Sequence, residues 1–139
     1  MNFSSLCEEV TLKLSPGFRS DQSLIDFEIK TKDKYKLQEF DLMFDSRTNS
    51  IHLNLIQVYR SNRGSGIGSQ VMEELCDFAD SKGMDIWLTL AQKGDEIGTT
   101  SRTRLIGFYK RFGFVQNKGR NNKDYRHSVY CSMYRRARA

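Results

Sequence analysis

Apolar positions set the first division of the chain, because their spacing changes near Ile67. Before that point they mostly alternate with polar ones, the period of a half-buried strand. Val10-Thr11-Leu12-Lys13-Leu14 alternates and is broken by Ser15-Pro16-Gly17. A looser alternation through Phe27 and Ile29 predicts a strand over Leu24 to Thr31. Leu37, Phe40, Leu42 and Phe44 predict another over Lys36 to Phe44. The polar run Asp45 to Ser50 turns the chain into the more apolar strand Ile51 to Val58, so the first half reads as an antiparallel meander.

From Ile67 the period is helical, through Val71, Met72, Leu75, Phe78 and Ala79, with Lys82-Gly83 as the stop. Met84 to Leu90 is a buried-type strand and Lys93 to Thr100 a polar loop. Ser101 is placed to cap a helix carrying Leu105, Phe108, Tyr109 and Phe112, closed by Gly113. Phe114-Val115 and His127 to Tyr134 are the last two strands. The expected fold is mixed α/β: a central, mostly antiparallel sheet of about six to seven strands flanked by two main helices, not a doubly wound parallel sheet.

Composition narrows the class. At 139 residues, 38% apolar and 28% charged, the chain fits a single globular domain over residues 1–139. Cys7, Cys76 and Cys131 are odd in number and far apart, which argues against a disulfide framework or a zinc site. Neither a secretory leader nor a membrane span is indicated, and a cytoplasmic setting is expected. The net charge of +5 is concentrated toward the C-terminus, where residues 102, 104, 110, 111, 118, 120, 123, 126, 135, 136 and 138 are basic and only Asp124 is acidic. Such a third of the chain attracts anions, among them nucleotide phosphates, acidic protein surfaces and nucleic acid.

The candidate chemistry begins at Arg63-Gly64-Ser65-Gly66-Ile67-Gly68, between a strand and a helix. A helix N-terminus offers unpaired N–H groups and the positive end of the dipole, and glycines let an anion approach the backbone. GxxxxGK[ST] is absent, and the dinucleotide fingerprint fails at Ser69. A tight turn without a ligand is the other reading of the same residues.

Arg63-x-x-Gly66-x-Gly68 after the strand Leu53 to Val58 resembles motif A of the GNAT N-acetyltransferases. Leu105 to Phe114, with Phe108-Tyr109 and Gly113-Phe114, resembles motif B of the same family. The compact length and the ending around Met133-Tyr134-Arg135-Arg136 resemble the short GNATs of phages and mobile elements, which include anti-CRISPR acetyltransferases acting on a protein lysine; a host cytoplasm would then be the setting. The resemblance implies acetyl-CoA as co-substrate, no metal, and an amine acceptor: a protein lysine, an N-terminus or a small amine.

It further implies that Arg63, Gly64, Ser65, Gly66, Ile67, Gly68 and Ser69 hold the pyrophosphate, while the strand edge at Ile56, Gln57 and Val58 pairs with the pantetheine arm. Tyr109 is then the general acid for the departing thiolate, and His52, with Glu39 and Asp41 on the strand before it, the candidate base. Arg60, Lys110 and Arg111 are candidates for the adenosine phosphates, and Trp87 for the core. Three positions depart from the pattern. Pro16 to Gln22 is too short for the two helices that relatives often place after the first strand; Arg102 stands where relatives often have Asn; and Arg60 replaces the usual proline. A tRNA-directed toxin-type member, or a degenerate module that binds acyl-CoA or nucleic acid without catalysis, are the alternatives. A homodimer is compatible with the family.

Overall fold

Along the chain run β1 (Phe18–Arg19), α1 (Gln22–Lys34), β2 (Glu39–Asp45), β3 (Ser50–Gln57), a 3-10 turn (Arg60–Asn62), α2 (Ile67–Lys82), β4 (Asp85–Leu88), α3 (Arg102–Lys110), β5 (Val115–Gln116) and β6 (Met133–Arg135). These come from a computed structural model that describes residues 18, 19, 21–90, 102–119 and 131–138. The six strands form one sheet in the order β1-β2-β3-β4-β6-β5. β3 and β4 are parallel, and every other described pair is antiparallel. The expected mixed α/β class with a mostly antiparallel sheet therefore holds, with six strands among the described residues. The strand expected at Val10 to Leu14, the loop Lys93 to Thr100, the Ser101 cap and His127 lie outside the described residues.

The segment Leu24 to Thr31 is helix, not strand, so the meander reduces to the hairpin β2–β3. Asp21 caps α1, its Oδ1 accepting from the Leu24 N–H at 2.9 Å. Leu24 and Thr31 are buried, and Phe27 between them stacks on Phe78 of α2 at 4.6 Å. Spacings of three and four residues thus carry the core contacts, whereas Ile29, which suggested alternation, is 62% exposed. Glu28 ties α1 to the sheet, accepting from the Leu42 N–H at 2.7 Å. One helix therefore does stand between the first two described strands, and three helices rather than two occur among the described residues.

α2 follows its sequence pattern. Val71, Met72, Leu75 and Ala79 are completely buried, and each large side chain so buried contributes about 1.5–3 kcal/mol relative to exposure. Gly83 ends the helix in the left-handed region at φ +66°, its N–H reaching back to Ala79 and Asp80. Ile51, Leu53, Ile86, Leu88 and Met133 meet the helices in the main core. Trp87, Cys131 and Tyr134 form a second cluster with Val115. Successive side chains of a strand point to opposite faces, so this cluster lies on the other face of the sheet. Arg135, 4% exposed and paired with Ile86, donates to both carboxylate oxygens of Asp80 (2.8 and 3.0 Å) and to the Phe112 carbonyl (2.8 Å). That single side chain fastens β6 to α2 and to the turn after α3. No described helix is long and apolar enough to cross a membrane.

Candidate acyl-transfer site

The site starts where β3 parts from β4. Ser50 to Leu53 of β3 pair with Asp85 to Leu88, and no described strand pairs with Asn54 to Gln57 on that side. On its other side β3 keeps its ladder with β2, but the register shifts: Leu42 faces Leu53 and Asp41 faces Leu55. Asn54 is the extra residue, and its Nδ2 donates to Asp41 Oδ2 at 2.6 Å. A bulge bends its strand and increases local twist, which turns β3 away from β4 and opens a wedge. The Gln57 carbonyl stays on the β2 side, accepting from the Gln38 N–H at 3.0 Å, and the wedge side of this strand end is open as an edge strand is.

The chain then turns into α2. Arg63 Nε donates to the Val58 carbonyl at 3.2 Å, and Ser65 Oγ to the Asn62 carbonyl at 2.5 Å. Gly64 and Gly66 take φ values of +84° and +83°, and a Cβ at either would meet nothing within 4 Å. Conformation, not crowding, demands glycine here, and the space beside the backbone is open. Gly66 is the N-cap and supplies no side-chain cap, and the helix ladder begins with the Gln70 N–H bonded to the Gly66 carbonyl at 3.1 Å. The first-turn N–H groups of Ile67, Gly68 and Ser69 therefore face outward in the geometry that suits an anion.

α3 packs against this turn. A Cβ on Gly68 would stand 3.7 Å from the Phe108 ring, an ordinary contact, which places Phe108 directly against the first turn of α2. Arg111 lies over the rings of Phe108 and Phe112, with its carbon 5.2 and 5.8 Å from their centroids, and donates to Ser69 Oγ at 3.3 Å. It adds a cation to the α2 N-terminus. Lys110 faces elsewhere, toward Gly113 and Lys118. Arg60 lies in the exposed 3-10 turn.

Tyr109 adjoins Phe108. Its ring is 8% exposed and packs 5.3 Å from Phe108 and 5.5 Å from Phe114. Burial pushes its hydroxyl up to about 12, so the phenol holds its proton throughout the physiological range. His52 is on the opposite face, its ring stacked on Trp87 at 3.9 Å. Burial, opposed by the charges of Asp41 and Asp45, lowers its pKa to about 4. This takes His52, the candidate base, below the neutral range in which a histidine base titrates. Trp87 is core, as expected, at 3% exposure.

The structure brings together the strand end, the glycine turn and α3, and sets His52 on the far side of the sheet. Asn54 went unassigned in the sequence, although a polar residue interrupting the apolar run Leu53 to Ile56 was its visible sign. No group of three or more His, Cys, Asp or Glu side chains placed to hold a metal occurs among the described residues.

A family model described as an acetyltransferase (GNAT) domain matches residues 35–116, which include every element of this site. No curated protein matches the chain. Among solved structures it is similar to the crystal structure of Ard1 from Thermoplasma volcanium, at 21% identity, 91% coverage of this chain, 86% of that chain and a TM-score of 0.47.

Proposed function

The chain belongs to the GNAT acetyltransferase family, and from that premise we propose that it transfers an acetyl group from acetyl-CoA to a primary amine by direct attack on the thioester. The observation that carries the reading is the uncapped α2 N-terminus at Gly66, set at the end of a strand whose edge is open.

In this reading the backbone N–H groups of residues 63–69 bind the pyrophosphate, and the edge at Ile56, Gln57 and Val58 pairs with the amides of the pantetheine arm. The wedge passes through the sheet, so the thioester can be reached from both faces. Tyr109 serves the leaving sulfur from the helix side, while the amine enters on the face of Asp41, Asn54 and His52. The amine nitrogen forms its bond to the carbonyl carbon, the C–S bond breaks, the Tyr109 hydroxyl gives its proton to sulfur, and the N–H proton lost from nitrogen passes to water, from which the phenolate is reprotonated. The acceptor is a primary amine such as a lysine side chain, and a cytoplasmic setting fits a reaction that uses acetyl-CoA.

The proton leaving the amine has no matched acceptor in His52, whose pKa of about 4 is far below that of a lysine amine, about 10.4. The neutral amine must then come from solution equilibrium. With a lysine-type acceptor, kcat/KM is expected to rise about tenfold per pH unit up to the pKa of the amine. Tyr109, protonated to about 12, adds no falling limb below that. A profile that instead levels off above an apparent pKa between 6 and 7 would restore His52 as the base.

Ligand binding tests the cradle directly. Acetyl-CoA at a hundred times its dissociation constant should stabilise the protein by about 2.7 kcal/mol. Gly66→Val forces a branched side chain into the left-handed region, at a cost of about 1–2 kcal/mol, and fills the anion's approach. We expect the variant to fold and to bind acetyl-CoA at least about tenfold more weakly, roughly 1.4 kcal/mol, by calorimetry. A wild-type protein whose melting temperature ignores acetyl-CoA would end this assignment.

A further inference from the structure

The core requires the bulge in β3. On β2 the inward residues Phe40 and Leu42 are two apart, as alternation demands, whereas on β3 the residues packed in the main core are Leu53 and Ile56, three apart. One extra residue is taken up between them, and Leu55, which a regular strand would bury, is 44% exposed. Packing therefore fixes that a bulge exists. It does not fix the angle at which the strand leaves it, because beyond the bulge β3 is held from one side. Leu55, Ile56 and Gln57 pair with Asp41, Phe40 and Glu39, and no described strand pairs with them on the wedge side. At that hinge a side-chain contact joins the two strands: Asn54 Nδ2 donates to Asp41 Oδ2 at 2.6 Å. A hydrogen bond to a charged acceptor is stronger than one between neutral groups.

We propose that Asn54, oriented by Asp41, is a positioning residue: the pair sets the angle at which Ile56, Gln57 and Val58 meet the pantetheine arm. The inference rests on the acetyl-CoA reading and adds to it a residue outside both the glycine turn and the strand edge that pairs with the coenzyme. A strand end already at its bound angle loses less freedom when the arm pairs with it, so the contact acts on affinity. The same angle carries the acetyl carbon toward Tyr109, where an error of about 1 Å costs on the order of a hundredfold in rate. Neither side chain belongs to the core. Asn54 is exposed and Asp41 half-buried, so changing them leaves intact the packing that makes the bulge.

Exchanging the two groups tests it, because their side chains have the same shape. Asn54→Asp sets two carboxylates at hydrogen-bond distance and should weaken acetyl-CoA binding about tenfold by calorimetry, within the range for coupled side chains. Asp41→Asn keeps a neutral hydrogen bond and should cost about threefold or less. The double variant Asp41→Asn/Asn54→Asp again sets a donor against a carboxylate and should return to within about twofold of wild type. Adenosine 3′,5′-bisphosphate, which offers phosphates to the glycine turn but has no pantetheine arm, should bind all four proteins alike. Their melting temperatures should agree within about 3 °C. The proposal is overturned if Asn54→Asp binds acetyl-CoA as wild type does, if the double variant stays as weak as Asn54→Asp, or if the bisphosphate weakens in step with acetyl-CoA. A wild-type protein that does not bind acetyl-CoA overturns the coenzyme reading itself, and this inference with it.

Discussion

Tyr109→Phe is expected to lower kcat by about 10²–10⁴-fold while leaving the protein folded and its affinity for acetyl-CoA nearly unchanged. The ring, not the hydroxyl, makes the packing contacts with Phe108 and Phe114, so the substitution removes one oxygen and keeps the core. A phenol near 12 looks at first too weak an acid for a thiol whose ordinary pKa is about 8.5. The same protein shows what burial does to thiols, however. Desolvation pushes Cys76 up to about 11 and Cys131 up to about 12. A coenzyme thiolate formed in apolar surroundings would be shifted in the same direction, which narrows the gap to Tyr109. Steady-state kinetics with a thiol-trapping reagent reads the result. Turnover equal to wild type in Tyr109→Phe would leave the tyrosine as core packing only.

The largest loss of stability is expected at the Arg135 clamp. Asp80→Ala leaves a guanidinium that is 4% exposed without its counter-charge, and breaking a buried pair from one side costs about 3–5 kcal/mol. The Phe112 carbonyl still accepts from Arg135, so the lower end of that range applies, and the melting temperature should drop by about 10 °C. Arg135→Met, which removes the charge rather than stranding it, should cost less. Acid supplies a sign check. Arg135 holds the Asp80 carboxyl below its ordinary value, so its contribution is full above about pH 4 and is lost as pH falls through the lowered pKa. The gap between wild type and Asp80→Ala should therefore narrow in acid. A gap that widens there would place the clamp's stabilisation elsewhere.

Much of this architecture is written locally. The glycines at 64 and 66 were legible because only a left-handed backbone needs them there, and α2 because its buried stripe keeps a helical period without interruption. α1 was misread because Phe27 and Ile29 imitate alternation, while the decisive features, the Asp21 cap and the contact of Phe27 with Phe78, depend on geometry and on a helix fifty residues away. The bulge at Asn54 is a property of strand pairing: the polar residue within Leu53 to Ile56 marks the place, but the shift of register depends on β2 as well. Likewise, Asp80 and Arg135 stand 55 positions apart, and nothing in either neighbourhood names the other. Candidate chemistry was legible to the same extent. The turn and Tyr109 are carried by motifs, whereas the lowered pKa of His52 follows from a burial that no spacing reveals.

The position of β6 between β4 and β5 bears on how the chain is made. During synthesis β2, β3, α2 and β4 emerge in order and can assemble at once, but the outer edge of β4 must wait for Met133. The distance from Leu88 to Met133 is 133 − 88 = 45 residues, which takes about 2–9 s at ribosomal rates of 5–20 residues per second. For that interval the apolar strand Ile86-Trp87-Leu88 carries unsatisfied N–H and C=O groups along one side. Nascent chains of this protein are therefore open to mispairing along β4 during that interval, and β6 closes it when it docks and brings Arg135 to Asp80.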